Sequence, residues 1–550
     1  MKLLISLLLF QVMLFHRSYS SFINTRNKLH TINVSNNKQN IYLKHDNNNN
    51  KDKKRLLTGE DDGFRPIRIF VDKTYINSQK SETITIFDKV VASLDKCINL
   101  IKKLIRVKPM DKIKFTDNDI LKLGFSSGDI DPVLHSENGG TATDLVIVPK
   151  FVTTGTTIAF GKPEILEPTT NRPIGAVLSI NNNLPTKPNN ENYLESIILH
   201  QLTHILGFTY DMFKNFPNGL AGVIKTERET RTNVMKNFVI TPKVVAYAKK
   251  YFNCDTITGV ELEDGGGYDG YSNSHWEARI LLGEYMNSEV HTPEQAISGF
   301  TLALLEDSGW YKIDNYYTGG LMRFGKNQGC DFLNTDCEAS ERNMNKFKND
   351  LFTFRDYFRA TCTSGRQSRS YNVPNNMPYR SEQASGKEIA DYCFVSDYYS
   401  EEEKTMFYVG SCKRGGGEYG SRIFYNGNNY NNGHLNELFG EKIDSNSFCA
   451  LSSIIPSSSK IGNEGYNIHK NVVHPMCYPM FCSTNSLTIQ INNQYIVCPR
   501  AGGIVEISGD YDGHLYCPDY NLICTGSVMC NDMFDCVDNE SIEKRRIFCL

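Results

Sequence analysis

The sequence predicts an α+β fold followed by a mainly β, disulfide-rich C-terminal module. Three observations carry this expectation. A helix-periodic stretch and several strand-like runs precede a second helix-periodic stretch that bears two histidines. Beyond residue 341 the chain turns to short alternating pieces rich in Gly, Tyr and Asn. Eight of the 16 cysteines (Cys477, Cys482, Cys498, Cys517, Cys524, Cys530, Cys536 and Cys549) crowd into the last 74 residues. The 550 residues, 40% apolar, suffice for large buried cores. A net charge of −3 gives no electrostatic footprint for nucleic acid, so none is expected as a partner.

Taken in order, residues 1–20 have the layout of a signal peptide. Lys2 is the positive start, Leu3 to Phe15 the apolar core, and Ser18-Tyr19-Ser20 the small-residue cleavage site. The apolar core is short for a membrane span of roughly 20 residues, the uncleaved-anchor alternative. Residues 21–63 are polar and rich in Asn and Lys, and bury too little apolar surface to order themselves. With Lys53-Lys54-Arg55 as a processing site they are read as a propeptide, a charged linker being the alternative. The ending "SIEKRRIFCL" has no hydrophobic tail for a GPI anchor, and its cysteine is misplaced for prenylation. A secreted or cell-surface protein is expected, with no transmembrane helix or GPI signal in the mature chain. The cysteine density then reads as a disulfide framework, since no pair has the C-x2-C spacing of a zinc ribbon.

Residues 64–209 form the first globular part. "PIRIFVD" alternates like a strand, and 84–107 has helical spacing at Val90, Leu94, Ile98, Ile101 and Ile105. "TDLVIVPKFV" (143–152) and "PIGAVLSINN" (173–182) read as buried strands. "ENYLESIILHQLTHILGF" (191–208) is a helix with Leu194, Ile197, Ile198, Leu202, Ile205 and Leu206 on its apolar side, capped by asparagines and stopped at Gly207. Residues 210–340 bring a Gly-rich bend at 261–286 and a helical run at 293–308. Residues 341–550 are the Cys-rich module, with "LTIQINNQYIVC" (487–498) as its clearest strand pattern.

His200 and His204 stand four apart, so both project from one helix face and can reach one ion. Neutral imidazoles suit zinc, and three protein ligands plus water make a catalytic site. The spacing alone is common enough to arise by chance.

The wider pattern "HQLTHILGF", "HWEARILLGEYM" and "GWYKIDNYYTGGLMRFGKNQGC" resembles the leishmanolysin family of zinc metalloendopeptidases. These are metzincins, whose signature is H-E-x-x-H-x-x-G-x-x-H followed by a Met-turn. In leishmanolysin-like proteins a long insertion precedes the third histidine, and here 67 residues separate Gly207 from His275. The resemblance implies a metzincin-like zinc domain that binds Zn2+ through His200, His204 and His275, with Met286 in the Met-turn. It implies His200 and His204 in residues 64–209, and His275 with the Met-turn in 210–340. Gln201 is the departure, for the family has glutamate there. That glutamate takes a proton from the attacking water and passes it to the leaving amine, which a neutral amide cannot do. Glu195, Glu263, Asp264, Glu277 and Glu284 lie near the ligands in sequence, but none holds the required neighbour position on the helix, and each is read as a solvated side chain and not as a substitute base. The expectation is an exported zinc metalloendopeptidase of strongly reduced activity, acting on protein or peptide. The alternative is an inactive pseudopeptidase serving zinc-dependent peptide binding or cell adhesion, with peripheral cell-surface association.

Overall fold

The computed structural model describes residues 62–81, 86–153, 158–182, 193–228, 235–264, 273–288, 295–314, 316, 322–334, 351–352, 360–363, 365–371, 394–395, 412, 440–457 and 473–524. The expected signal peptide, nearly all of the expected propeptide and the asparagines before the histidine helix lie outside them. The described residues divide between two compact units. One holds those from 62 to 334 together with 351–352 and 394–395, and the other holds 360–371, 412 and 440–524.

The first unit is built on a four-stranded sheet. Its strands are β1 (Ile69–Val71), β2 (Leu145–Val152), β3 (Ala159–Leu166) and β4 (Pro173–Asn181), in spatial order β1-β2-β4-β3. The first two pairings are parallel, whereas β3 lies antiparallel to β4. Strands β2 and β4 are apolar on successive residues because both of their faces are covered. Sequence periodicity misses β3, "AFGKPEIL", which has no alternation and a bulge around Pro163. A sheet edge tolerates both the proline and the irregularity.

Helix α1 (Phe87–Leu104) buries Val90, Leu94, Ile98 and Ile101 as the spacing predicts. The expected helix stops short of Ile105, because Ile105–Val107 instead forms a strand between Arg65–Pro66 and Tyr311–Ile313. The expected strand "PIRIFVD" is likewise broken into Arg65–Pro66 and β1. Between them the Arg68 backbone N–H and guanidinium both donate to the buried Asp144 carboxylate, which takes that residue out of the ladder. Helix α2 (Tyr193–Ile205) packs on α1, β3 and β4.

The chain continues through a three-stranded sheet of β5 (Ile224–Arg228), β6 (Met235–Val239) and β7 (Val260–Glu261). Helix α3 (Pro242–Phe252) leaves β6, and α4 (Ala278–Leu281) and α5 (Gly299–Asp307) follow. The helical run expected over 293–308 thus begins at Gly299, where the Ser298 side chain caps it. The Cys254–Cys330 disulfide closes this region. Glu261 is buried there between Lys236 and Arg279, a charge neutralised on both sides.

In the second unit the strands are β8 (Ser447–Ser452), β9 (His474–Cys482), β10 (Leu487–Ile491), β11 (Gln494–Cys498), β12 (Gly503–Ile507) and β13 (Tyr511–Cys517), all paired antiparallel. The alternating "LTIQINNQYIVC" is the β10–β11 hairpin, turned at Asn492 with φ of 50°. Disulfides join Cys362 to Cys449, Cys412 to Cys477, Cys482 to Cys524 and Cys498 to Cys517. The α+β class and the disulfide-rich C-terminal region are as expected. Cys530, Cys536 and Cys549 lie outside the described residues. Among the described residues no helix is long and apolar enough to cross a membrane.

Candidate metal centre

Helix α2 carries the site. Ile197, Ile198, Leu199, Leu202 and Ile205 are buried, and between Ser196 and Phe208 only Gln201 is partly exposed. A helix apolar on nearly all sides is one enclosed by its own protein. Its end follows from Gly207, whose φ is +120° and whose added Cβ would meet the Trp310 ring at 2.7 Å. The reversal returns the Phe208 carbonyl to His204 Nδ1 at 2.7 Å. His200 Nδ1 stands 2.7 Å from the Tyr285 carbonyl. A carbonyl only accepts, so each Nδ1 donates and each Nε2 is left as a bare lone pair.

His275 enters on the segment after β7. It is held by the Glu263 N–H, which donates to its carbonyl at 3.0 Å, and by the bridge between Leu262 and Trp276. Its Nε2 lies 3.1 Å from His200 Nε2 and 3.2 Å from His204 Nε2, and the latter two are 3.0 Å apart. Burial pushes His200 down to about 4 and His204 down to about 3. It holds His275 well below the usual imidazole range, with the neighbouring rings adding to the effect. The rings are therefore neutral near pH 7, as metal ligands must be. Converging lone pairs repel unless a cation lies among them. Three nitrogens on a tetrahedral ion with bonds of about 2.0–2.1 Å would stand roughly 3.3 Å apart, close to the spacing found. The three histidines fit a small divalent ion, and among the described residues no fourth His, Cys, Asp or Glu joins their group.

The turn holding Met286 packs against this helix. The Tyr285 hydroxyl pairs with Thr203 Oγ1 at 2.8 Å, and Met286 is fully buried with its carbonyl accepting the Trp276 N–H. Glu284 anchors the turn from within. Its carboxylate accepts from the Met286 N–H, from the Ser298 N–H and hydroxyl, and from the Thr301 hydroxyl, which itself accepts from the Trp276 indole. Burial raises this carboxyl to about 7 in spite of those hydrogen bonds.

Gln201 Oε1 accepts a hydrogen bond of 2.8 Å from the Gly161 N–H of β3. Strand and helix approach closely here, since a Cβ on Gly161 would lie 2.3 Å from the Gln201 carbonyl oxygen. None of the acids considered as substitutes forms a hydrogen bond with the three imidazoles among the described residues. Glu195 faces Lys96 at 3.9 Å. The expectation of solvated side chains fails for Glu263, Glu277 and Glu284, all buried by the packing around the turn, where hydrogen bonds enclose Glu284. Glu263, Asp264 and Glu277 bring their oxygens within 4.8 Å of one another as a separate cluster.

Sequence reasoning missed Gly161, the Tyr285 and Phe208 carbonyls and the Glu284–Ser298–Thr301 network. Gly207, read as a helix stop, was the one available hint of the chain reversal at Phe208.

The leishmanolysin family profile matches residues 83–530. A leishmanolysin-like peptidase of Drosophila melanogaster is 29% identical over 255 residues, 39% of this chain and 37% of that protein. A leishmanolysin homolog of Crithidia fasciculata is 26% identical over 371 residues, 63% of this chain and 50% of that protein. A ciliated left-right organizer metallopeptidase of Danio rerio is 25% identical over 334 residues, 60% of this chain and 45% of that protein. The chain spans half or less of the length of these relatives.

Proposed function

The chain belongs to the leishmanolysin family of metallopeptidases, and from that premise we propose that it is an exported zinc metalloendopeptidase whose hydrolysis is strongly reduced by Gln201. The observation that carries the reading is the convergence of three neutral Nε2 atoms beside a residue that cannot take up a proton. His200, His204 and His275 would hold the metal, and Met286 would occupy the Met-turn. Zinc bound there would polarise a peptide carbonyl and acidify the attacking water.

The chain's own residues set the rest. The Tyr285 and Phe208 carbonyls fix two of the ring orientations, which is how outer partners tune a metal site. Gln201 has the reach of the usual glutamate but an amide end, so the proton shuttle is missing. General acid–base help is worth about 10² to 10⁴ in rate, and that is the size of the expected deficit. A second reading, a pseudopeptidase that binds peptides or serves adhesion, is favoured by the amide of Gln201, which can hydrogen-bond a ligand but cannot shuttle a proton.

Protein or peptide chains are the proposed substrates. The paired cysteines support an oxidising, exported setting, with the leader at 1–20 and the propeptide at 21–63 as parts of the same proposal. Metal analysis tests the centre. Wild type should carry one zinc per chain and His204→Ala should lose it, whereas equal zinc in both would remove the assignment.

A further inference from the structure

We propose that Gln201 converts the place of a catalytic base into a hydrogen-bond donor, making this centre a receptor for peptides that end in a free carboxylate. The proposal rests on the metallopeptidase reading above and deepens it by naming a ligand.

The orientation of the amide follows from its neighbour. The Gly161 N–H can only donate, so the atom facing it must be the Gln201 oxygen. The Nε2 end then points away from Gly161 with two N–H groups. Nothing among the described residues accepts from it, and Gln201 is only partly buried on a helix stretch that is otherwise enclosed. The glycine is what permits this grip, because any Cβ at residue 161 would collide with the helix backbone.

Charge points the same way. The three rings supply no negative charge, and no carboxylate hydrogen-bonds them among the described residues. A divalent ion on three neutral imidazoles keeps its full positive charge for whatever takes the fourth position. A glutamate at residue 201 would oppose an incoming carboxylate in this poorly screened place, whereas the amide attracts one. Such a ligand would meet the metal through one oxygen and the Gln201 N–H groups through the other. Donation to a charged oxygen is strong enough to alter affinity by about tenfold or more. A chain end of this kind is what peptide hydrolysis leaves behind, so the same residue that slows cleavage would favour retention of the product.

The experiment uses zinc-loaded full-length protein and a peptide with an N-terminal fluorophore and an N-methylated backbone that resists cleavage, supplied with either a free C-terminal carboxylate or an amide. Anisotropy reports binding to wild type, Gln201→Glu and Gln201→Met, and a hydroxamate chelator reports whether the metal and cleft are intact. Wild type should bind the carboxylate form about tenfold tighter or more. Gln201→Met, which keeps length and neutrality but has no donor, should lose much of that preference, and Gln201→Glu should abolish or reverse it. Acetate at the peptide's concentration should not compete. The proposal is overturned, with the metal centre left standing, if hydroxamate binds but wild type shows no preference, if Gln201→Glu retains it, or if acetate competes equally. Failure of hydroxamate to bind zinc-treated wild type would overturn the metallopeptidase reading and this proposal with it.

Discussion

At the scale of single residues, protonation decides what the centre can do. The unfolded imidazoles of His200, His204 and His275 take up protons near pH 6.5, and the folded ones resist until about 4 and 3 for the helix pair. A depressed pKa of this kind leaves stability intact above pH 6.5 and removes it as pH falls toward 4. Glu284 acts in the opposite sense, because its folded pKa is raised to about 7 and its share of stability declines as pH rises from about 4.5 to 7. Near pH 5.5 the three histidines outweigh the single glutamate. The melting temperature of metal-free protein should therefore drop as pH is lowered from 7 to 5, and a flat or rising profile would contradict the buried neutral triad. The helix pair was legible from its spacing of four within an apolar stretch. His275 was not legible from spacing, because 67 intervening residues fold before it reaches the pair, and only the resemblance pointed to it.

At the scale of elements, the site depends on how closely β3 lies against α2. Gly161 permits that approach and supplies the N–H that holds Gln201. Gly161→Ala should force the strand from the helix and cost roughly 1–3 kcal/mol, the usual penalty for overpacking. Chemical denaturation measures it, and an unchanged midpoint would mean that strand and helix are not in contact. Long apolar elements such as β2, β4 and α2 were legible because their burial is written as unbroken or periodic hydrophobicity. β3 was not, since an edge strand with Gly161, a lysine and Pro163 carries no such pattern. The 284–287 turn was equally opaque. Its hydrogen bonds join Glu284 to Ser298 and Thr301, partners fixed by tertiary packing and not by local sequence.

For the whole molecule, the cysteines divide by unit. Cys254–Cys330 belongs to the first unit, and the other four described pairs belong to the second. Those four span sequence separations of 19 to 87 residues. Closing loops of such lengths stabilises by about 3–4.5 kcal/mol each on the chain-entropy account. The density of cysteines was legible, whereas the pairing was not, because spacing leaves many connectivities open. Non-reducing peptide mapping should recover these five pairs, with Cys97 buried, unpaired and unlabelled until the protein is denatured. Native labelling of Cys97, or different partners for Cys449 and Cys477, would contradict the fold.

In the proposed enzyme the metal centre is sound and Gln201 alone holds hydrolysis back. Gln201→Glu changes no side-chain length, and its carboxylate can still accept from the Gly161 N–H through one oxygen while the other serves as base. The decisive measurement is hydrolysis of a peptide library by zinc-loaded wild type and Gln201→Glu at equal metal content. A rise of about 10² or more is expected in the variant, abolished by a chelating inhibitor. High activity in wild type, or none in the zinc-loaded variant, would contradict it.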